Sequence, residues 1–216
     1  MNTKIIKLPE HQAIYHQIRN LILFGTLVPG QAVTIQGLTD LIGAGMTPVR
    51  EAIRRLTAEG ALEAGGNRRV RVPEMTRARL DEIGFARLSI EPELAKLAAE
   101  RMTDACLREL LDHDARVDDA IRTGDIERYL EFNYRFHFCL YDQADARILR
   151  HIASSLWLQI GPSLRIVCGR YGTANLPDKH SEALAALREG DTARAATAIA
   201  DDIRQGLGQV RLTLSA

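Results

Sequence analysis

Apolar residues recur with helical spacing along almost the whole chain. Over residues 11–24, Ile14, Ile18, Leu21 and Ile22 share one face, and Gly25 followed by Pro29-Gly30 stops the helix. A short helix is predicted from Thr34 to about Ile42, with Ile35, Leu38 and Leu41 apolar, closed by Gly43-Ala44-Gly45. The next begins with Thr47 as N-cap and Pro48 at the first helical position and runs to Gly60. Alternation replaces this period at one place. Ala61 to Ala64, then Gly65-Gly66-Asn67, then Arg68 to Val72 reads as a short hairpin closed by Pro73.

Beyond Thr76 no strand pattern recurs. Six helices are predicted at roughly 77–101, 104–122, 125–142, 145–168, 178–189 and 192–213. Gly124-Asp125 and Gly190-Asp191 each read as a helix stop followed by an N-cap. The expected fold is mostly α, with a winged helix-turn-helix over residues 1–73 and a linker at 74–76. An all-helical bundle fills 77–216.

Composition changes the picture only slightly. Of 216 residues, 46% are apolar and 26% charged, which suits a globular protein with a real core. No run approaches the roughly 18 apolar residues of a membrane span. Lys4 and Lys7 have no apolar stretch behind them, so no secretory leader is expected. Cys106, Cys139 and Cys168 are widely spaced in apolar segments and read as reduced packing residues of a cytoplasmic protein. The net charge is zero, but residues 1–73 carry +4 and residues 74–216 carry −4. That split points to a polyanionic partner for the first module.

In the third helix Val49, Ile53 and Leu56 form an inward stripe, whereas Thr47, Arg50 and Arg54 lie on an outward one. Such a helix, placed after a glycine turn, suits the major groove of double-stranded DNA. Arg68, Arg69 and Arg71 on the hairpin suit phosphate or minor-groove contact. The plainer reading of the helix arginines alone is a solvated face.

The segments Gly25-Thr26-Leu27-Val28-Pro29-Gly30, Leu38-Thr39-Asp40-Leu41 and Thr47-Pro48-Val49-Arg50-Glu51-Ala52-Ile53-Arg54-Arg55-Leu56 resemble the winged-helix domain of GntR-family bacterial regulators. The resemblance implies that Thr47, Arg50, Arg54 and the wing meet an operator. One departure stands out. The family usually has Ser-Arg before Thr-Pro, and this chain has Gly45-Met46. That removes a base or phosphate contact and leaves the operator sequence open.

The helical half directs polar residues inward. Around residues 128–142, Arg128, Glu131, Arg135 and Asp142 form one face, while Asn133 and His137 lie opposite, among Leu130, Phe136 and Leu140. His180 shares a face with Leu184 and Leu187, and Asp202 with Ala195, Ala198 and Ile199. Two imidazoles and two oxygens from three helices make a plausible shell for a divalent transition metal. The plainer reading is a hydrogen-bonded polar core.

Arg87-x3-Glu91, Asn133-x3-His137, His180, Gly190-Asp191 and Asp202 are similar to the FCD effector-binding domain of the FadR subfamily of GntR regulators. In metal-binding members a third His stands where this chain has Asp202. The resemblance implies zinc, nickel or manganese held by Asn133, His137, His180 and Asp202, with a small carboxylate effector completing the shell. Arg87 would then be the effector's counter-charge, or else the salt-bridge partner of Glu91. The expected protein is a homodimeric, ligand-responsive, sequence-specific transcription repressor. The alternatives are a metal-dependent enzyme acting on a small organic acid and an adaptor for a partner protein.

Overall fold

The computed structural model describes residues 9–65, 69–171 and 177–214. The first three helices are α1 (Glu10–Leu23), α2 (Ile35–Ile42) and α3 (Met46–Ala58). In α1 the expected stripe is buried at Ile14, Ile18 and Ile22, but Tyr15, Arg19 and Leu23 are buried with it and Leu21 is only half-buried. The Thr34 side chain caps α2 by accepting the Gly37 N–H at 3.0 Å. Leu38 is buried beneath it, whereas Leu41 is 59% exposed and does not join the core.

The start of α3 differs from expectation. Its N-cap is Gly45, with no side-chain cap, so Thr47 and Pro48 both lie inside the first turn. Proline is tolerated there because N–H groups of the first turn have no intrahelical partner. The Thr47 hydroxyl is thereby released from capping and stands exposed.

The wing is a three-stranded sheet rather than a simple hairpin. Strands β1 (Ala32–Val33), β2 (Glu63–Ala64) and β3 (Val70–Arg71) are ordered β1-β3-β2, all antiparallel. Ala32 and Glu63 pair with Arg71, and Val33 and Ala64 pair with Val70. Two residues cannot display an alternation, so β1 left no pattern in the sequence.

Six helices follow: α4 (Arg77–Ala99), α5 (Asp104–Thr123), α6 (Ile126–Asp142), α7 (Arg147–Tyr171), α8 (Lys179–Glu189) and α9 (Thr192–Thr213). Thr76, Thr103, Asp125, Asp178 and Asp191 cap five of them with side-chain oxygens. Gly124 and Gly190 end α5 and α8 in the left-handed conformation that a side chain would strain. Helix α4 runs along α9, α5 packs on α6, and α7 touches α1, α4, α6 and α9. Trp157, Leu158 and Ile160 of α7 lie in this core. The three cysteines are free thiols, with the Cys106 and Cys139 sulfurs 3.7 Å apart.

The two halves meet along α7. Ser155 Oγ donates to the Glu59 carbonyl at 3.1 Å, and Arg79 Nη2 donates to the Gly60 carbonyl at 3.0 Å and to Gln159 Oε1 at 2.8 Å. Gly161 allows the closest approach. A Cβ there would lie 2.2 Å from the Leu23 carbonyl oxygen, a backbone atom that cannot rotate away. Gly161→Ala is therefore expected to destabilise by about 1–3 kcal/mol or more, as overpacking does. Gly208 in α9, with nothing within 4 Å of such a Cβ, is the control. Gly208→Ala is expected to stabilise by about 0.5–1 kcal/mol. Thermal unfolding of both variants checks the pair, and a neutral Gly161→Ala would show that the junction is loose.

Candidate functional site

The reading face is built by the amphipathicity of α3. Val49 and Leu56 are 0% exposed and Ile53 6%, which turns Thr47, Arg50 and Arg54 outward. Arg50 forms no ion pair with any described residue. Arg54 only reaches Glu51 at 3.4 Å, and an exposed pair of that kind holds a side chain weakly. Arg55 belongs to the other side: it lies 3.7 Å from the Tyr15 ring centroid and pairs with Glu59 at 2.9 Å. At the helix start Met46 is 54% exposed. On the wing Arg69 is exposed and Arg71 is paired with Glu63 at 2.6 Å. Arg68 lies outside the described residues.

The second constellation begins in α4. Arg87 and Glu91, one turn apart, form a bidentate pair, Nε to Oε1 at 2.6 Å and Nη2 to Oε2 at 3.1 Å. Glu91 is 0% exposed and also accepts from Tyr141 Oη at 2.7 Å and Trp157 Nε1 at 2.8 Å. Arg87 thus makes the salt bridge, with its guanidinium 4.5 Å from the Trp157 ring centroid. It also lines a small cavity together with Asn133 and Asp202.

From this hub the protons can be placed. Tyr141 gives its hydrogen to Glu91, so its oxygen can only accept from His137 Nδ1, 3.1 Å away. His137 Nε2 is therefore a bare lone pair. It lies 3.2 Å from Asp202 Oδ2 without forming a hydrogen bond, and it is buried with no other partner. Burial pushes the His137 pKa down, which keeps the ring neutral. Burial also opposes charge on Asp202, while His180 and Arg87 favour its ionised form. Two acceptors facing each other at this distance need a proton or another cation between them.

His180 supplies a third donor. Its Nδ1 hydrogen-bonds Asp114 Oδ1 at 3.0 Å, so Nε2 is again the uncommitted nitrogen. The ring stacks on Phe136 with centroids 3.9 Å apart. Burial disfavours its charged form, yet the Asp114 bond and the Asp202 charge outweigh that and raise its pKa. One ligand atom from each of His137, His180 and Asp202 lies within 4.8 Å of the others. Asn133 is buried and lines both cavities beside Asp202, of about 60 and 230 Å³.

Two residues of this arrangement were not singled out by sequence reading. Asp114 sits on the same stripe of α5 as Leu110 and Val117, an acid on an apolar face, which was the available signal. Glu91 was visible only as a neighbour of Arg87. Its bonds to Tyr141 and Trp157 span 50 and 66 residues and leave no local trace.

Comparison with known proteins agrees with this division. Residues 10–72 match the gntR family of bacterial regulatory proteins, and residues 82–205 match the FCD domain. The chain belongs to the GntR family and carries an FCD domain. It is 29% identical over 198 residues to the HTH-type transcriptional regulator McbR of Escherichia coli K12, covering 90% of this chain and 89% of that one. The solved structure of E. coli McbR/YncC superposes with a TM-score of 0.89 at 26% identity, over 96% of this chain and 99% of that one. The repressor RspR of E. coli K12 is 24% identical, over 94% of this chain and 91% of its own.

As a GntR regulator the chain binds DNA through the winged helix, and these relatives are named as regulators rather than enzymes. No helix among the described residues is long and apolar enough to cross a membrane. Arg50→Ala is expected to weaken operator binding by about 1–3 kcal/mol and to reduce the salt slope by about one, without unfolding the protein. A salt titration by fluorescence anisotropy reads both, and unchanged values would remove Arg50 from the groove.

Proposed function

We propose that the chain is a ligand-responsive repressor whose FCD domain holds a divalent transition metal and a small carboxylate metabolite. The observation that carries this is the buried Nε2 of His137, which lies 3.2 Å from Asp202 Oδ2 and has no hydrogen-bond partner. His137, His180, Asp202 and Asn133 fit such an ion: two neutral nitrogens, a carboxylate and an amide oxygen suit zinc, nickel or manganese. When bound, the ion supplies a Lewis-acid centre for the effector's carboxylate. The Tyr141 and Asp114 bonds fix the two rings in the tautomers that ligation needs. Arg87 lines the cavity as a second positive group, although Glu91 already neutralises much of its charge.

Thr47, Arg50, Arg54, Arg68 and Arg69 are proposed to carry the operator contacts. Two half-sites one turn of DNA apart demand a two-fold dimer. Phe85 on α4 is 78% exposed and Leu212 on α9 is 53% exposed, which leaves apolar surface on two helices that pack together. Sedimentation at micromolar concentration is expected to give twice the chain mass, and a monomer mass would sink the homodimer.

The metal is tested by chelation. At a free metal concentration a hundredfold above Kd the ion adds about 2.7 kcal/mol, so its removal is expected to lower Tm by roughly 5–10 °C. His137→Ala and His180→Ala should each abolish that shift and blunt the effector's influence on DNA binding. Asp202→His should keep or tighten metal binding. Native protein without metal, whose Tm is unmoved by zinc, nickel or manganese, would make these four residues a hydrogen-bonded polar core.

A further inference from the structure

A second cavity, of about 480 Å³, opens at the junction of the two halves and is separate from the FCD pocket. Its wall contains a buried cation without a counter-ion. Arg19 of α1 is 9% exposed, and its Nη2 donates to Ser154 Oγ at 2.8 Å and Tyr134 Oη at 3.2 Å. Both partners are neutral, and among the described residues no carboxylate pairs with Arg19. Guanidinium stays charged at any relevant pH, and a buried charge ordinarily has a partner of opposite sign.

The nearby acids are already committed. Glu59, the single acidic residue among the described ones lining the cavity, accepts the Tyr15 hydroxyl hydrogen, shared between its two oxygens, and pairs with Arg55 at 2.9 Å. Arg150 is paired with Asp142 at 2.6 Å, outside the cavity wall. What remains facing the space is a surplus positive charge, two histidines (His16 and His151) and the hydroxyl of Ser154. The surroundings are positive enough to matter: burial first, then Arg19 and Arg55, push the His16 pKa down.

Cations mixed with hydroxyl donors suit a tetrahedral oxyanion, which offers acceptors in several directions. The volume exceeds that of inorganic phosphate alone and falls in the range of small-metabolite sites. We propose that this interdomain cavity binds a small phosphate monoester, with Arg19 as its principal counter-charge. Arg19 and Arg55 come from the winged helix, and Arg150, Ser154 and Ser155 come from α7. The ligand therefore bridges the two modules and gives the regulator an input distinct from the FCD pocket.

The test uses the full chain in EDTA, which removes metal-bound phosphate as a source of signal. Inorganic phosphate and glycerol 3-phosphate are titrated at constant ionic strength set with chloride, read by calorimetry and by Tm. Saturable binding is expected, tighter for the monoester, with Arg19→Gln weakening it at least tenfold. The double variant Arg50→Ala/Arg54→Ala is expected to keep the native phosphate affinity. Ser154→Ala, which removes one hydroxyl, is expected to weaken binding severalfold and serves if Arg19→Gln does not fold. The proposal is overturned by no saturable binding, by binding that survives both Arg19→Gln and Ser154→Ala, or by binding lost with Arg50 and Arg54. Succinate binding as tightly as phosphate would also overturn it.

Discussion

The helical domain is organised around a carboxylate that has no water to turn to. Glu91 is fully buried and accepts four hydrogen bonds, two from Arg87, one from Tyr141 and one from Trp157. Those donors sit on α4, α6 and α7, so one side chain fixes the mutual placement of three helices. Removing it would strand the Arg87 guanidinium in the core, the kind of loss that costs about 3–5 kcal/mol. The same hub sets the chemistry of the pocket. Because Tyr141 must give its hydrogen to Glu91, His137 must give its own to Tyr141, and its other nitrogen is left bare toward Asp202. A structural ion pair thus dictates the tautomer of a candidate ligand that it does not touch.

Helix α7 belongs to both halves of the protein. Trp157 reaches inward to Glu91, while Gln159 bonds Arg79 and the Glu59 carbonyl, and Gly161, one turn on from Trp157, lies against the Leu23 backbone. The contact at Gly161 has no side chain to cushion it. A displacement of α7 that began at Trp157 would therefore reach the end of α1 as a backbone movement. Arg19 and Ser154 tie the same two helices a little farther along. Under the proposed function, this is the physical route by which occupancy in the helical domain would bias the winged helix.

Much of this architecture was legible in the sequence, for identifiable reasons. The last six helices fall where periodicity and the Gly-Asp junctions place them, because long amphipathic helices with strong caps report their own limits. The inward stripe of Val49, Ile53 and Leu56 was legible for the same reason. What escaped depends on contacts across the chain. β1 is two residues long and exists through its pairing with β3. Leu41 follows the apolar period of α2, yet nothing packs over it. Periodicity also separates inside from outside only relative to a neighbour that it cannot name, so the burial of Trp157 against Glu91 left no local sign. For the site, spacing brought forward Asn133, His137, His180 and Asp202, and three of these converge. Asp114 and the role of Glu91 needed the tertiary structure.

An aspartate at 202, rather than a neutral ligand, changes what the pocket will admit. The cavity beside His180 is lined by Asp114, Asp118, Asp178 and Asp202, against Lys179 as the single permanent cation. The crowding is real: burial, together with Asp114 and Asp178, raises the pKa of Asp118. Arg87 offsets little of this charge because Glu91 has already claimed it. A carboxylate effector entering such a space unaccompanied would meet net repulsion. Under the proposed function the divalent ion is then a precondition for the effector, and effector binding must in turn tighten the ion by the same factor. A family member with a third neutral histidine starts one negative charge better off. Under the proposed function, Asp202 trades some of the pocket's own attraction for an anion against a firmer hold on the cation, so that metal supply would become part of what the regulator senses.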